Sequence, residues 1–229
     1  SFVGIDLGFE GAPDETTICK FRHLLERNKL GKVLLTAVND HLRRSGIKIT
    51  KGTIVDATII GAPTSTKNQD GERDPEMHQT AKGQQWYFGM KAHIGVDSRT
   101  KLVHTVLASA ANVADRDALP YLLHGNETRV WGDQGYQGQT AVIHARAPNA
   151  QDFTNRGYRY HGRINEVEKA KNRNKSRVRA KVEHVFGVLQ NIFGFRKVGY
   201  RGLAKNLNRL EVTAALANLY LVRRRLLKA

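Results

Sequence analysis

An α/β fold is expected for these 229 residues, with a mixed central sheet flanked by helices and a small helical segment at the N-terminus. Three features predict it. Thr53-Ile-Val-Asp-Ala-Thr-Ile-Ile60 is a β-branched run that reads as a buried strand. Gln85 to Val96 and Lys101 to Ser109 are two further β runs around the polar turn Asp97-Ser-Arg-Thr100, so they form a hairpin. Val178, Val182, Val185, Leu189 and Ile192 then fall at steps of four, three, four and three, the spacing of one buried helical stripe.

The remaining elements follow in order. Pro13-Asp14-Glu15-Thr16-Thr17 places proline and acids ahead of an apolar pattern at Ile18, Phe21, Leu24 and Leu25, which starts a helix. A second helix is predicted over Leu34 to Arg44, stopping before Gly46. These two make an N-terminal segment, 1–50, ahead of a main domain, 51–229. After Pro63 the polar stretch to Gln85 has neither period and reads as a long loop, an insertion around 61–85. A short helix is expected over Asp115 to Leu123, and a short apolar strand over Thr128 to Trp131 runs straight into Gly132-Asp133. Gln139 to Arg146 reads as helix, and Asp152 to Asn174, too polar and basic for core, mostly as a surface excursion. A last helix, Leu203 to Leu227, turns Leu207, Leu210, Ala214, Ala217 and Leu221 inward and ends in Arg223-Arg-Arg225.

Composition excludes several classes. No apolar run approaches the roughly 20 residues needed to cross a bilayer, and no signal-peptide pattern opens the chain. The single Cys19 rules out an intramolecular disulfide framework and cysteine-rich zinc motifs. A cytoplasmic, reduced protein is expected, and the start on Ser1 rather than Met raises the expectation of a fragment. Charge is more informative. Residues 1–150 hold 18 basic and 16 acidic side chains, whereas residues 151–229 hold 19 basic and 5 acidic, a net of +14. So uneven an excess is an electrostatic footprint for a polyanion, and nucleic acid is the commonest soluble one.

Three carboxylates stand out. Asp56 lies mid-strand in an apolar run, where burying its charge is costly without compensation. Asp133 ends another strand, and Glu183 sits at the margin of the helical stripe with Arg179 one turn before it. Three elements can converge on one point, and oxygen ligands without cysteine suit Mg²⁺ or Mn²⁺ rather than zinc. Two such ions roughly 4 Å apart can activate an attacking oxygen and stabilise a leaving one in phosphodiester displacement. Taken singly, Asp133 also fits a strand-end turn, and Glu183 an exposed helix acid paired with Arg179. His93, His104 and His184 read as packed or surface histidines, Asp97 as the hairpin-turn residue, and Trp86, Tyr87 and Phe88 as strand core rather than base-stacking platforms.

The order strand Asp, hairpin, short helix, strand-end Asp, helix Glu is that of the ribonuclease H-like fold. The residues go further: Pro13-Asp-Glu-Thr-Thr-Ile-Cys-Lys-Phe-Arg-His-Leu-Leu25, Ile54-Val-Asp-Ala-Thr58, Trp86-Tyr-Phe-Gly-Met-Lys-Ala-His-Ile-Gly-Val-Asp97, Gly132-Asp-Gln-Gly-Tyr136, Arg177-Val-Arg-Ala-Lys-Val-Glu-His-Val-Phe186 and Phe193-Gly-Phe-Arg-Lys-Val-Gly-Tyr-Arg-Gly-Leu203. With these motifs the chain resembles DDE-type transposases of bacterial insertion sequences, the family numbered five, in the group sharing the IS4-like transposase domain. The resemblance implies a catalytic and metal-binding triad of Asp56, Asp133 and Glu183, holding two Mg²⁺ ions with Mn²⁺ as substitute. It implies cleavage at the element's terminal inverted repeats, transfer of the 3′-OH strand to target DNA, assembly as a homo-oligomer on DNA, and a cytoplasmic, nucleoid-associated location. The family's helix signature places an Arg four residues before the Glu, matched by Arg179, and a Lys or Arg seven after it, where this chain has Gln190. Members begin further upstream, with a segment assigned to end recognition, which this chain is expected to lack.

Lys171, Arg173, Lys175, Arg177, Arg179 and Lys181 alternate just before Glu183, where a DNA backbone must pass if Glu183 binds metal. With Arg196, Lys197 and Arg201 they are the expected DNA contacts, and phosphate contacts position a strand without reading its sequence. Two other classes fit the same residues: a metal-dependent nuclease of this fold without strand transfer, and a non-catalytic DNA-binding derivative.

Overall fold

The computed structural model describes residues 11–69 and 71–227. Two helices come first, α1 (Glu15–Arg27) and α2 (Leu30–Arg44). Asp14 caps α1 from extended backbone, its Oδ1 accepting from the Thr17 N–H at 2.6 Å. α2 starts earlier than its apolar pattern suggested, because Lys29 adopts a left-handed φ of 51° and turns the chain directly into it. It buries Leu35 and Leu42. α1 buries nothing: Ile18, Phe21 and Leu24 of its apolar stripe stand exposed among the described residues.

One sheet holds β1 (Gly52–Gly61), β2 (His78–Lys82), β3 (Gln85–Asp97), β4 (Val103–Ala110), β5 (Arg129–Trp131) and β6 (Gln151–Asp152). Across it the order is β4, β3, β1, β5, β6, with β3 antiparallel to β1 and β4, and β5 parallel to β1 and β6. This is the mixed sheet of a ribonuclease H-like domain. β2 pairs with residues 85–89 of β3 and β4 with residues 90–96. The stretch expected to be a structureless loop therefore contains a strand, and Met77 just before it is buried with Ile60, Met90 and Phe195. His78-Gln-Thr-Ala-Lys82 shows no apolar alternation because only backbone pairing to β3 holds it there.

Alternation along β1 sends neighbours to opposite faces. Ile54, paired in register with Val96 and Trp131, packs with Ile94 beneath Val182, Val185, Leu189, Ala214 and Ala217. Those residues belong to α6 (Lys181–Gly187), the π turn Val188–Ile192 and the last helix, introduced below. Val55 and Val130 face α3 (Asp115–Leu122), Tyr136 and Ile143 of α4 (Thr140–Arg146). Helices thus cover both faces, as a sheet buried on two sides requires.

Beyond β6, the short strands β7 (Arg159–Tyr160) and β8 (Arg163–Ile164) pair as an exposed hairpin, and α5 (Glu166–Arg179) follows. α5 begins within the segment expected to be surface excursion; Asn165 caps it, accepting from the Glu168 N–H at 3.0 Å. The predicted stripe is also broken. α5 and α6 separate at Ala180, and the π turn follows α6. Val182, Val185 and Leu189 are buried, but the wider π turn rotates Ile192 away to 52% exposure. The last helix, α7 (Leu203–Leu226), buries Leu210, Ala214 and Ala217 as expected, with Leu207 and Leu221 half-buried. It also buries Asn218, which accepts from the Val103 N–H at 2.8 Å and donates to the Val103 carbonyl at 2.7 Å, stitching α7 to β4. No helix among the described residues is long and apolar enough to cross a membrane.

Candidate active site

β5 ends at Trp131 while β1 runs on to Gly61, and their pairing stops at Ile54. Between there and the parallel bridge of Gly61 to Lys197, β1 has no parallel neighbour among the described residues, and a cleft of about 520 Å³ opens beside Asp56–Ile59. Asp56, Asp133 and Glu183 all line this cleft, so the three acids singled out in the sequence meet there. Strand middle, strand end and helix each deliver one.

Asp56 is the most constrained, with its side chain 13% exposed. Its Oδ1 accepts from the Ala57 N–H at 2.9 Å and its Oδ2 from Arg179 Nη1 at 2.8 Å. Burial pushes its carboxyl up to about 6 despite the lowering influence of Arg179 and the Ala57 N–H, and Asp133 adds repulsion. Asp133 Oδ1 accepts from the Gly135 N–H at 2.8 Å and caps the short 3₁₀ turn Gln134–Tyr136. It is a turn aspartate and a cleft carboxylate at once. The two flanking glycines serve close approaches: a Cβ on Gly132 would lie 2.9 Å from the buried Tyr136 ring, and one on Gly135 would lie 3.0 Å from Asp133 Oδ1. Gly132→Ala is therefore expected to cost about 1–3 kcal/mol by overpacking, read as a lower urea midpoint with an unchanged m-value. Glu183, 68% exposed, leans towards Arg179 Nη2 at 3.8 Å.

Arg179 therefore stands between two of the acids. As placed, no group of three or more His, Cys, Asp or Glu side chains among the described residues is close enough to hold a metal ion. The donor chemistry fits a hard divalent cation all the same: Asp56, Asp133 and Glu183, which all line the cleft, offer only carboxylate oxygens. Arg179 Nε has no hydrogen-bond partner, so this cation is poorly satisfied where it rests.

The expected DNA contacts divide. Lys171, Arg173 and Arg177 are exposed on α5. Lys175 instead donates to the Thr154 carbonyl at 2.9 Å and pairs with Glu168, and Lys181 donates to the Ser98 carbonyl at 2.7 Å. Arg196 bonds Asn191, Lys197 is exposed, and Arg201 donates to the Glu72 carbonyl at 3.3 Å, bracing the segment before β2. Gln190 donates to Thr58 Oγ1 at 3.2 Å, a neutral bond to the strand that carries Asp56. Asp97 makes the hairpin turn, His93 is packed inside, and His184 is exposed. Trp86 is not core: it is 70% exposed on the β2–β3 hairpin, since this end of β3 runs past the covered part of the sheet. Sequence reasoning missed Lys91 and Asp115, which line the same cleft and pair at 2.9 Å. A charged residue in the apolar run Phe88-Gly-Met-Lys-Ala-His-Ile94 was the available signal.

A family model described as the transposase DDE domain matches residues 48–219, from just before β1 into α7. No solved structure matches the chain.

Proposed function

We propose, from the premise that this chain belongs to the transposase DDE-domain family, that it cuts DNA at the ends of an insertion sequence and joins the freed 3′-OH strand to target DNA. Membership carries transposition as the class of function and polynucleotidyl transfer or nuclease action as the class of chemistry. What supports the finer reading is the convergence of Asp56, Asp133 and Glu183 on one cleft from three separate elements.

In this reading those three residues hold two Mg²⁺ ions, with Mn²⁺ able to substitute. The ions would supply activation of the attacking oxygen and stabilisation of the leaving one. Asp56 has to give up Arg179 on loading, and the freed guanidinium then has a strand phosphate as its natural acceptor. In the first step a water oxygen bonds to phosphorus as the bond to the 3′ oxygen breaks; in the second that 3′ hydroxyl attacks a target phosphodiester in line, its oxygen bonding to phosphorus as the bond to the target's own 3′ oxygen breaks and that oxygen leaves as a hydroxyl. Lys171, Arg173 and Arg177 keep the strand beside Glu183. Terminal inverted repeats and target DNA are the partners, a homo-oligomer on DNA is the working form, and the site of action is the nucleoid of a bacterial cytoplasm. The boundary between helical segment and catalytic domain falls near residue 50.

Two outcomes follow at the bench. Asp56 has a folded pKa of about 6 against an ordinary 3.8, so its ionisation destabilises the fold: the cost is absent below the lower value and complete above the higher. The same proton competes with an ion, so Mn²⁺ affinity, measured by calorimetry, should fall as pH drops through about 6 and level off above it. Replacing Lys171, Arg173 and Arg177 by Ala should lower the slope of log affinity for DNA against log salt by roughly 0.9 per lost phosphate contact.

The reaction itself is tested with DNA carrying a precut 3′-OH element end, a target duplex and Mg²⁺. Joined product is expected. Cleavage of uncut ends without any joining would reassign the protein as a nuclease, and neither activity in the metal-loaded protein would overturn both.

A further inference from the structure

We propose that Lys91, held in place by Asp115, is a substrate-phosphate contact of this cleft, supplied from the face of the sheet opposite Arg179. The inference rests on the reaction proposed above.

Register fixes the placement. Asp56 pairs with Ile94, whereas Lys91 pairs with Ile59 and Ser109, one step out of phase, so Lys91 shares a face with His93 rather than with Asp56. Both side chains nevertheless reach the same cleft, because β5 stops short and leaves the β1 edge open. The cleft thus receives a cation and a carboxylate from each face: Arg179 with Asp56, and Lys91 with Asp115.

Lysine is an unusual occupant of a central strand, and its side chain here is only 15% exposed. One of its three donors makes a hydrogen bond, to the Val113 carbonyl at 2.8 Å, while Asp115 Oδ1 lies 2.9 Å away as an ion pair without hydrogen-bond geometry. The other donors have no hydrogen-bond acceptor among the described residues. Asp115 in turn depends on Lys91. The other titratable neighbour, His93, is fully buried, and burial drives its pKa down to about 4. His93 Nε2 lies 2.7 Å from Ser109 Oγ, and His93 Nδ1, 4.0 Å from Asp115 Oδ1, has no hydrogen-bond partner. A neutral imidazole carries no charge to offset a carboxylate, so Lys91 does. Asp115 also abuts the turn that carries Asp133, its Oδ2 lying 3.6 Å from where a Gly135 Cβ would be. One positioning residue therefore fixes the ammonium and borders the Asp133 turn.

An ammonium fixed in advance in a cleft lined by three further carboxylates, with donors left over, is suited to the charge that builds on a phosphate oxygen during displacement. A brace for the fold would not need donors left over in a residue that lines the cleft.

The test compares Lys91→Gln, Asp115→Asn and the double variant with the parent for Mn²⁺ binding by calorimetry, thermal unfolding, and Mn²⁺-dependent cleavage of DNA carrying the element's ends. Lys91→Gln should cleave on the order of 10²-fold more slowly, while binding Mn²⁺ as well as the parent or better, since a neighbouring cation has gone. Asp115→Asn should lose a similar factor, and the double variant no more than Lys91→Gln alone, as for two residues acting as one unit. The double variant removes both charges together, so it keeps the test open if either single change leaves a buried charge that unfolds the protein. Parent-like cleavage by Lys91→Gln or by the double variant overturns the proposal. So does a loss of Mn²⁺ binding in step with cleavage, which would make the pair a support for the metal ligands. Failure of the transposase reaction shows separately, as normal cleavage by Asp133→Asn whatever Lys91 does.

Discussion

Asp133→Asn is expected to lower metal-dependent cleavage at the element's ends on the order of 10³-fold, equivalent to about 4 kcal/mol of transition-state stabilisation, while leaving the fold intact. Asparagine keeps the shape and an oxygen that still accepts from the Gly135 N–H, so the turn Gln134–Tyr136 survives. What disappears is the charge facing Asp56 across the cleft. Asp133→Ala removes the cap as well and should cost about a further 1 kcal/mol of stability. Single-turnover cleavage read beside urea midpoints for both variants separates chemistry from punctuation, two roles this aspartate holds at once. A stable Asp133→Asn protein that cleaves normally would leave only the turn.

The largest loss of stability is expected far from the cleft, at Asp97. It is fully buried, and its two oxygens accept from the backbone N–H and hydroxyl of both Thr50 and Thr100 and from the Arg99 N–H. The β3–β4 turn is thereby tied to the residues entering β1, the strand that carries Asp56. Asp97→Ala leaves these donors without an acceptor inside the protein, and a loss of about 3–5 kcal/mol follows. Burial alone would raise the Asp97 pKa, but the hydrogen bonds from Thr100 and Thr50 overcome it and hold the carboxyl below its usual range. With the folded pKa depressed, this stabilisation is present above the unfolded value of 3.8 and drains away as pH falls through the folded one. Urea unfolding of the parent and Asp97→Asn across that window should show the two curves converging on the acid side.

Some of this was legible in the chain alone because it rests on local pattern. An aspartate in the middle of a β-branched run announces a buried charge that needs a partner, and Asp56 has one in Arg179. The hairpin around Asp97 followed from two β runs and a polar turn, and Glu183 beside Arg179 from helical spacing. Elements held by backbone or by distant partners were not legible. β2 is polar and exists through its pairing with β3; the start of α5 has a capping Asn165 but no apolar stripe. Conversely, α1 has the stripe without the burial, and Ile192 has the spacing without the orientation, because a π turn intervenes. Lys91 and Asp115 lie far enough apart in sequence that only β3–β4 pairing and the packing of α3 on the sheet bring them together. Buried Asn206 and Asn218 on α7 satisfy loop and strand backbone that no helical period foreshadows.

That Asp56, Asp133 and Glu183 together hold the catalytic ions is tested most directly by anomalous diffraction from Mn²⁺-soaked crystals. Anomalous density among the three carboxylates is expected, with Arg179 moved off Asp56. A cleft without such density and Arg179 still bonded to Asp56, at a Mn²⁺ concentration that supports DNA cleavage, would contradict ion binding by these residues.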